Sequence, residues 1–96
     1  MLRNVVVLRL NEEATAERVA EIEEGLRSLP AKIEQIRAYT FGRDLGLVPG
    51  AADFAIVSEF DDEQAYRTYS GHPDHQAVVA KLRLLIAERM SVQYEL

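Results

Sequence analysis

The sequence contains no cysteine and no tryptophan, and only two of its 96 residues are histidines. Without cysteine the chain forms no disulfide bond, and two histidines alone make a poor zinc site. A domain this small buries only ~60–65% of the surface that its unfolded chain exposes, which leaves oligomerisation as the common route to extra stability. The missing cysteine also fits a reducing compartment, so we expect a cytoplasmic location.

Long apolar runs and clustered positive charge are absent as well. No run approaches the ~20 residues needed to cross a bilayer, and Arg3 and Arg9 interrupt the apolar start, which argues against a signal peptide. The formal net charge is −5, from 16 acidic and 11 basic side chains. An acidic surface repels phosphate backbones, so we expect no nucleic-acid partner, and without a long apolar run we expect no membrane partner.

The spacing of apolar residues predicts a single domain over residues 1–96, with four strands and two helical regions. We expect strands at 2–10, 33–41, 53–60 and 91–96, and a helix at 14–28 ended by Pro30. A second helical region, capped by Asp61 with Gln64, is broken at 71–73 and continues to about 89. The order βαββαβ is the α+β, ferredoxin-like arrangement: a four-stranded antiparallel sheet with helices on one face.

The first strand has apolar side chains on both of its faces, whereas the helices can cover only one face of the sheet. The uncovered face is expected to carry Val5, Val7, Ala55, Val57 and either Tyr39 or Phe41. Such a patch is too apolar to stay in water, and a second copy related by a two-fold axis would cover it. We therefore predict a homodimer through this sheet face.

Three segments of the chain resemble a known family: residues 3–10, residues 57–62, and the stretch from Tyr69 to Val79. The last segment holds a tyrosine followed by His72-Pro73-Asp74-His75 and a helix. Together with the element order, they resemble the stress-responsive A/B-barrel domain (Dabb) family over essentially the whole chain. The resemblance implies a dimeric α/β barrel with a pocket between the sheet and the helices.

Most members of that family have no assigned reaction, and some are linked to stress tolerance. One plant relative is a polyketide cyclase that closes a ring by intramolecular aldol condensation without a cofactor. Its working tyrosine and histidine map onto Tyr69 and His75, whereas a further pocket histidine of the family falls at Asn4. The resemblance implies a cofactor-independent enzyme for a small hydrophobic, aromatic or polyketide-like ligand. The alternatives are a non-catalytic stress-responsive or ligand-binding dimer, and a cofactor-free monooxygenase-like protein.

Tyr69 and His75 are accordingly the candidate catalytic residues. The helix start at Pro73 puts His75 in the first turn, where the helix dipole favours the neutral imidazole of a general base. Asp74 beside it favours the charged form. The Tyr69 phenol would hold an enolate oxygen. The structural alternatives are a helix-capping or gap-filling His75 and a core Tyr69 with one satisfied hydroxyl.

Asn4, His72 and Tyr66 are the candidate substrate-binding residues. Asn4 offers a donor and an acceptor to the pocket, or is a strand-end residue bonded to backbone. Tyr66 is either pocket wall or surface. His72 and His75 have a spacing found in some metal sites, but His72 before Pro73 fits a turn better, and we expect no metal.

Arg43 and Asp44 begin the glycine-rich loop after the second predicted strand. The two side chains would either gate the pocket or pair with each other at the surface. Exposed pairs of this kind contribute little to stability.

Overall fold

The computed structural model describes residues 1–96 and confirms the ferredoxin-like arrangement. In chain order the elements are β1 (Leu2–Leu10), α1 (Ala16–Lys32), β2 (Ala38–Arg43), β3 (Phe54–Phe60), α2 (Glu63–Gly71), α3 (Pro73–Arg83) and β4 (Ile86–Glu95). The strands form one antiparallel sheet in the order β2-β3-β1-β4. None of the helices has the length and apolar character that a membrane span requires.

The core lies between one face of the sheet and the helices. Side chains alternate along each strand, so every second residue of β1 and β3 points toward the helices. These positions and the apolar stripe of α1 supply most of the buried residues: Leu2, Val6, Leu8, Phe54, Ile56, Phe60, Val19, Ile22, Leu26 and Leu29. Gly25 of α1 lies where a Cβ would come within 3.0 Å of Val78, so glycine permits the close approach of α3.

The opposite face of the sheet, here called the outer face, is also apolar. It carries Val5, Val7, Ala55, Val57, Met90, Val92 and Tyr94. The expectation that Tyr39 or Phe41 belongs to it is wrong. The β2–β3 register sets Thr40 beside Val57, so both aromatic rings point toward the helices and pack on the core.

Pro30 does not end α1, and the second strand does not begin at residue 33. The helix continues to Lys32, and the Ile33 N–H bonds to the carbonyl of Leu29. A proline this close to the C-terminus removes only one hydrogen bond from the last turns. Ile33 is buried as the helix cap, and β2 begins only at Ala38.

The boundary between α3 and β4 also differs from the prediction. The helix ends at Arg83 rather than near Arg89, and β4 begins at Ile86 rather than at Ser91. β4 pairs with β1 along the full length of that strand, from Leu10–Ile86 to Leu2–Glu95. This ladder outweighs the local helix propensity of residues 87–90.

Two local polar predictions are corrected as well. The cap of α2 is Asp62, whose carboxylate accepts from the Ala65 N–H at 2.8 Å, while Asp61 pairs with Arg37. Asp62 can reach the free N–H groups of the first turn, whereas Asp61 lies one residue too early. Arg43 pairs with Glu23 of α1 and not with Asp44, whose carboxylate accepts from the Gly46 N–H.

Asn4 and Ser58 are polar residues inside the core, with exposed fractions of 4% and 0%. The Asn4 Nδ2 donates to Ser58 Oγ at 3.3 Å, and Gln93 Nε2 donates to Asn4 Oδ1 at 2.8 Å. This chain of hydrogen bonds links β3, β1 and β4 on the side that faces the helices.

Replacing Ser58→Ala is expected to lower the free energy of unfolding by about 1–3 kcal/mol, because the buried Asn4 amide loses its acceptor. Urea-induced unfolding measures the change. Thr68→Ala on the exposed surface of α2 is the matched control and should alter stability by less than about 0.5 kcal/mol. An unchanged midpoint for Ser58→Ala would show that Asn4 does not depend on this acceptor.

Candidate functional site

A cavity of about 330 Å³ lies between the sheet and the helices α2 and α3. Its walls are mainly apolar, with Val6, Leu26, Ile56 and Leu82 among the lining residues. Its size is at the lower end of small-molecule sites, and an apolar wall with a few convergent polar groups is typical of them. The cavity is therefore the candidate functional site.

The break between α2 and α3 positions His75 in this cavity. His72 closes α2 through its backbone N–H, which bonds to the Tyr69 carbonyl, and its Nδ1 accepts from the Asp74 N–H at 3.1 Å. Pro73 then occupies the first helical position, where its missing N–H costs nothing. The sharp turn brings the imidazole of His75 against the Tyr69 ring, with centroids 4.2 Å apart.

The hydrogen bonding of His75 defines its tautomer. Its Nδ1 lies 3.0 Å from the carbonyl oxygen of Ser70. A carbonyl only accepts, so Nδ1 carries the proton and Nε2 of the neutral ring has a free lone pair. Every fully buried side-chain nitrogen or oxygen in the chain has a hydrogen-bond partner. Because Nε2 of His75 has no protein partner, it is not fully buried, and it is open to solvent in the cavity.

The protonation state of His75 follows from its surroundings. Burial is the main cause that lowers the pKa of the imidazole, and the charge of Arg89 lowers it further, while the Ser70 carbonyl opposes them. The neutral form is therefore favoured, as a general base near neutral pH requires. The bond to Ser70 also satisfies a free carbonyl at the end of α2, so His75 has the capping role as well.

Tyr69 is 4% exposed and forms a pair with Tyr39 of β2, one of the two aromatic residues considered for the outer face. The two hydroxyl oxygens are 2.8 Å apart. Burial is the main cause that raises the pKa of both phenols, so both keep their protons. One of the two hydroxyl protons lies between the oxygens and forms their hydrogen bond. The O–H of the other tyrosine has no protein acceptor. The tyrosine pair can therefore donate one hydrogen bond to a ligand oxygen.

The remaining predicted site residues divide into two groups. Asn4 and Tyr66 line the cavity, and Asn4 is bonded to side chains rather than to backbone. His72 does not line it and caps α3 instead. No group of three histidine, aspartate or glutamate side chains is arranged to hold a metal ion.

Two further polar side chains in the cavity, Arg83 and Arg89, were missed by the sequence analysis. Arg89 lies beside Leu8 in the β1–β4 register, which turns it toward the helices. The spacing of apolar residues predicts a helix through residue 89, and in a helix the strand alternation that turns Arg89 and Met90 to opposite faces does not apply. Arg83 lies in the last turn of α3.

Comparison with solved structures identifies the class of fold. A dimeric ferredoxin-like protein of unknown function from Thermobifida fusca matches with a TM-score of 0.93 and 39% identity, covering 99% of this chain and 90% of that one. A hydroxynitrile lyase from Passiflora edulis has the same fold, with a TM-score of 0.85 but only 14% identity, covering 97% of this chain and 90% of the lyase.

Comparison of sequences identifies the family. The profile of the stress responsive A/B barrel domain matches residues 2–96. An uncharacterised protein of Streptomyces coelicolor is 38% identical over 85 residues, which cover 86% of this chain and 88% of that protein. The chain belongs to the stress responsive A/B barrel domain (Dabb) family, as its tyrosine and His-Pro-Asp-His segment suggested.

Nitrogen-15 NMR of the imidazole rings tests the state of His75. We expect the Nδ1–H tautomer at pH 7.5 and protonation below the usual pKa of 6.5, because burial and Arg89 disfavour the cation. A His75→Gln variant assigns the signals. An Nε2–H tautomer, or titration above pH 6.5, would contradict the geometry.

Proposed function

We propose that the protein is a cofactor-independent enzyme that removes a proton from a small apolar substrate held in this cavity. The observation that carries the proposal is the contact between a neutral His75, with a free Nε2, and the buried Tyr39–Tyr69 pair. A base and an oxyanion donor beside one apolar space are the minimum that enolate chemistry needs. The substrate class is a polyketide-like or aromatic carbonyl compound.

In the proposed reaction, His75 Nε2 takes a proton from the carbon next to a substrate carbonyl. The electron pair of the broken C–H bond moves onto the carbonyl oxygen, which accepts the free O–H of the tyrosine pair. The enolate carbon then attacks a second carbonyl of the same substrate and forms the new C–C bond. The His75 imidazolium returns its proton to the resulting alkoxide, so that the base is regenerated.

Asn4 and Tyr66 have substrate-contacting roles in this proposal. Asn4 uses one amide hydrogen on Ser58, which leaves the second for a ligand oxygen. Tyr66 packs edge-on against Phe60, with centroids 5.6 Å apart, and forms part of the wall. His72 supports the site by fixing the start of α3 rather than by touching substrate.

The second candidate function is a non-catalytic dimer that binds a small ligand in the same cavity. Asn4 stands where the family resemblance places a further pocket histidine, and this favours binding without turnover. A cofactor-free monooxygenase-like reaction is the third candidate for this fold. The likeness to the hydroxynitrile lyase supports only that this fold can hold an enzyme active site.

Hydrogen–deuterium exchange at the α-carbon of aryl ketones in D₂O tests the enzyme proposal. We expect the wild-type protein to accelerate exchange, and His75→Gln to reduce that acceleration by about 10²–10⁴-fold, because the base is lost. Proton NMR follows the loss of the α-proton signal.

His72→Asn is the matched control, since asparagine keeps the helix cap and His72 lies outside the cavity. It should exchange at the wild-type rate. Equal rates for His75→Gln and the wild type would overturn the catalytic role. Ligand binding without any exchange would favour the second candidate function.

We also propose that the protein is a homodimer that packs through the outer face of the sheet. Val7, Met90 and Val92 on that face are 37%, 77% and 55% exposed. Val5 lies beside Val92, and Ala55 and Val57 lie on the other side of β1, which makes the patch continuous across three strands. The similar protein from Thermobifida fusca is dimeric, which supports the same assembly here.

Sedimentation velocity tests the dimer. The wild type is expected to sediment as a dimer at micromolar concentration, and Val7→Glu as a folded monomer, because an unpaired charge would be buried in the interface. Ala20→Glu on the exposed side of α1 should remain dimeric. A monomeric wild type, or a dimeric Val7→Glu variant, would contradict the assembly.

A further inference from the structure

The arginines of this chain divide into two groups by their ion pairs. Seven of the nine pair with a carboxylate: Arg3, Arg9, Arg18, Arg27, Arg37, Arg43 and Arg67. The two arginines without an ion pair are Arg83 and Arg89. Both of them line the cavity.

The surroundings of this arginine pair are unusual in a protein of net charge −5. The residues that line the cavity include no aspartate and no glutamate. The hydrogen bond that Arg89 makes to a side chain, to Ser91 Oγ, is long at 3.4 Å. Acidic residues neutralise the other arginines, whereas the cavity keeps two unneutralised guanidinium groups beside an apolar wall.

We propose that Arg89, assisted by Arg83, binds the carboxylate of a small apolar acid in this cavity. A guanidinium group is planar and presents parallel N–H donors that match the two oxygens of a carboxylate. The apolar wall accepts the aryl or alkyl part of the molecule, and the 330 Å³ volume limits its size. The inference rests on the proposed function only in locating the ligand in this cavity.

Arg89 lies in the same cavity as His75 and Tyr69, so a carboxylate bound to it would be close to the proposed reacting groups. Arg89 extends from β4 on the side that faces the helices, and its charge adds to the lowering of the His75 pKa and opposes the rise of the Tyr69 pKa. A carboxylate bound there would place the rest of the molecule between the arginine and the tyrosine pair. The ligand class is therefore an acid whose apolar body extends toward Tyr69.

Direct binding of aromatic acids and of the corresponding amides tests the inference. Isothermal titration calorimetry compares benzoate, phenylacetate and cinnamate with benzamide, phenylacetamide and cinnamamide. Each acid is expected to bind at least about tenfold more tightly than its amide, because a charge-assisted hydrogen bond is lost in the amide. The preference should decrease as salt rises.

Arg89→Gln is expected to abolish the preference for the acid, and Arg83→Gln to reduce it. Arg67→Gln is the control, because Arg67 is exposed on α2, pairs with Glu63 and lies outside the cavity. Circular dichroism verifies that each variant is folded. Equal affinities for acid and amide, no measurable binding of any acid, or an unchanged preference in Arg89→Gln would overturn the inference.

The His75→Gln variant separates this inference from the proposed function. If His75→Gln loses exchange activity but keeps the acid preference, both proposals stand. If His75-dependent exchange is present but acids bind no better than amides, the inference fails and the proposed function survives. If acids bind through Arg89 but His75→Gln changes no reaction, the cavity is an acid-binding site without the proposed catalysis.

Discussion

The sheet has two apolar faces and only three helices, and the helices pack on one of them. This constraint organises the rest of the molecule. β1 pairs with β3 on one side and with β4 on the other, so it is a central strand. Each of its side chains points either toward the helices or to the outer face. Val6 and Leu8 are buried under the helices, while Val5 and Val7 belong to the outer face.

The helix layer closes over the sheet incompletely, because α2 and α3 are two short helices and not one long one. The break at residues 71–73 turns the chain, and the space beside it is the cavity. The same break brings His75 against Tyr69, with His72 acting as the cap of α3. The hydrogen bonds that these histidines make to free backbone groups at the helix ends thus also orient the candidate base, His75.

The electrostatics of the cavity follow from which groups are paired and which are left open. Tyr39 and Tyr69 share one hydrogen bond between their hydroxyl groups, and the Nδ1–H of His75 donates to the Ser70 carbonyl. The groups left open are one phenolic O–H, the Nε2 of His75 and the arginine pair. These are a donor, a base and a site for an anion, which together define the chemistry that the cavity supports.

Much of the fold could be predicted from local patterns. The two-residue alternation of β1 and β3 indicated their faces, and Gly71-His72-Pro73 indicated the helix break. The Tyr69–His75 contact followed from the short spacing across that break. The family resemblance predicted a pocket between the sheet and the helices. The alternation of apolar residues did not specify which side chains line it.

What could not be predicted depends on contacts between distant parts of the chain. Residues 86–90 have helix-forming composition, and only pairing with β1 makes them a strand and turns Arg89 toward the cavity. The face on which Tyr39 lies depends on the β2–β3 register, which a sequence with a ten-residue loop between the strands does not specify. Arg89 and Tyr39 both belong to the candidate site, so the site was harder to predict than the fold.

We expect the space beside His75 to be a ligand site and not loosely packed core. A crystal structure of the protein grown with cinnamate distinguishes these two states. We expect the ring of cinnamate to lie between the sheet and α3, with the carboxylate on Arg89 and the ring toward the Tyr39–Tyr69 pair. A cavity filled by the chain's own side chains, with Arg89 paired elsewhere and no room beside His75, would show that this space is packed core.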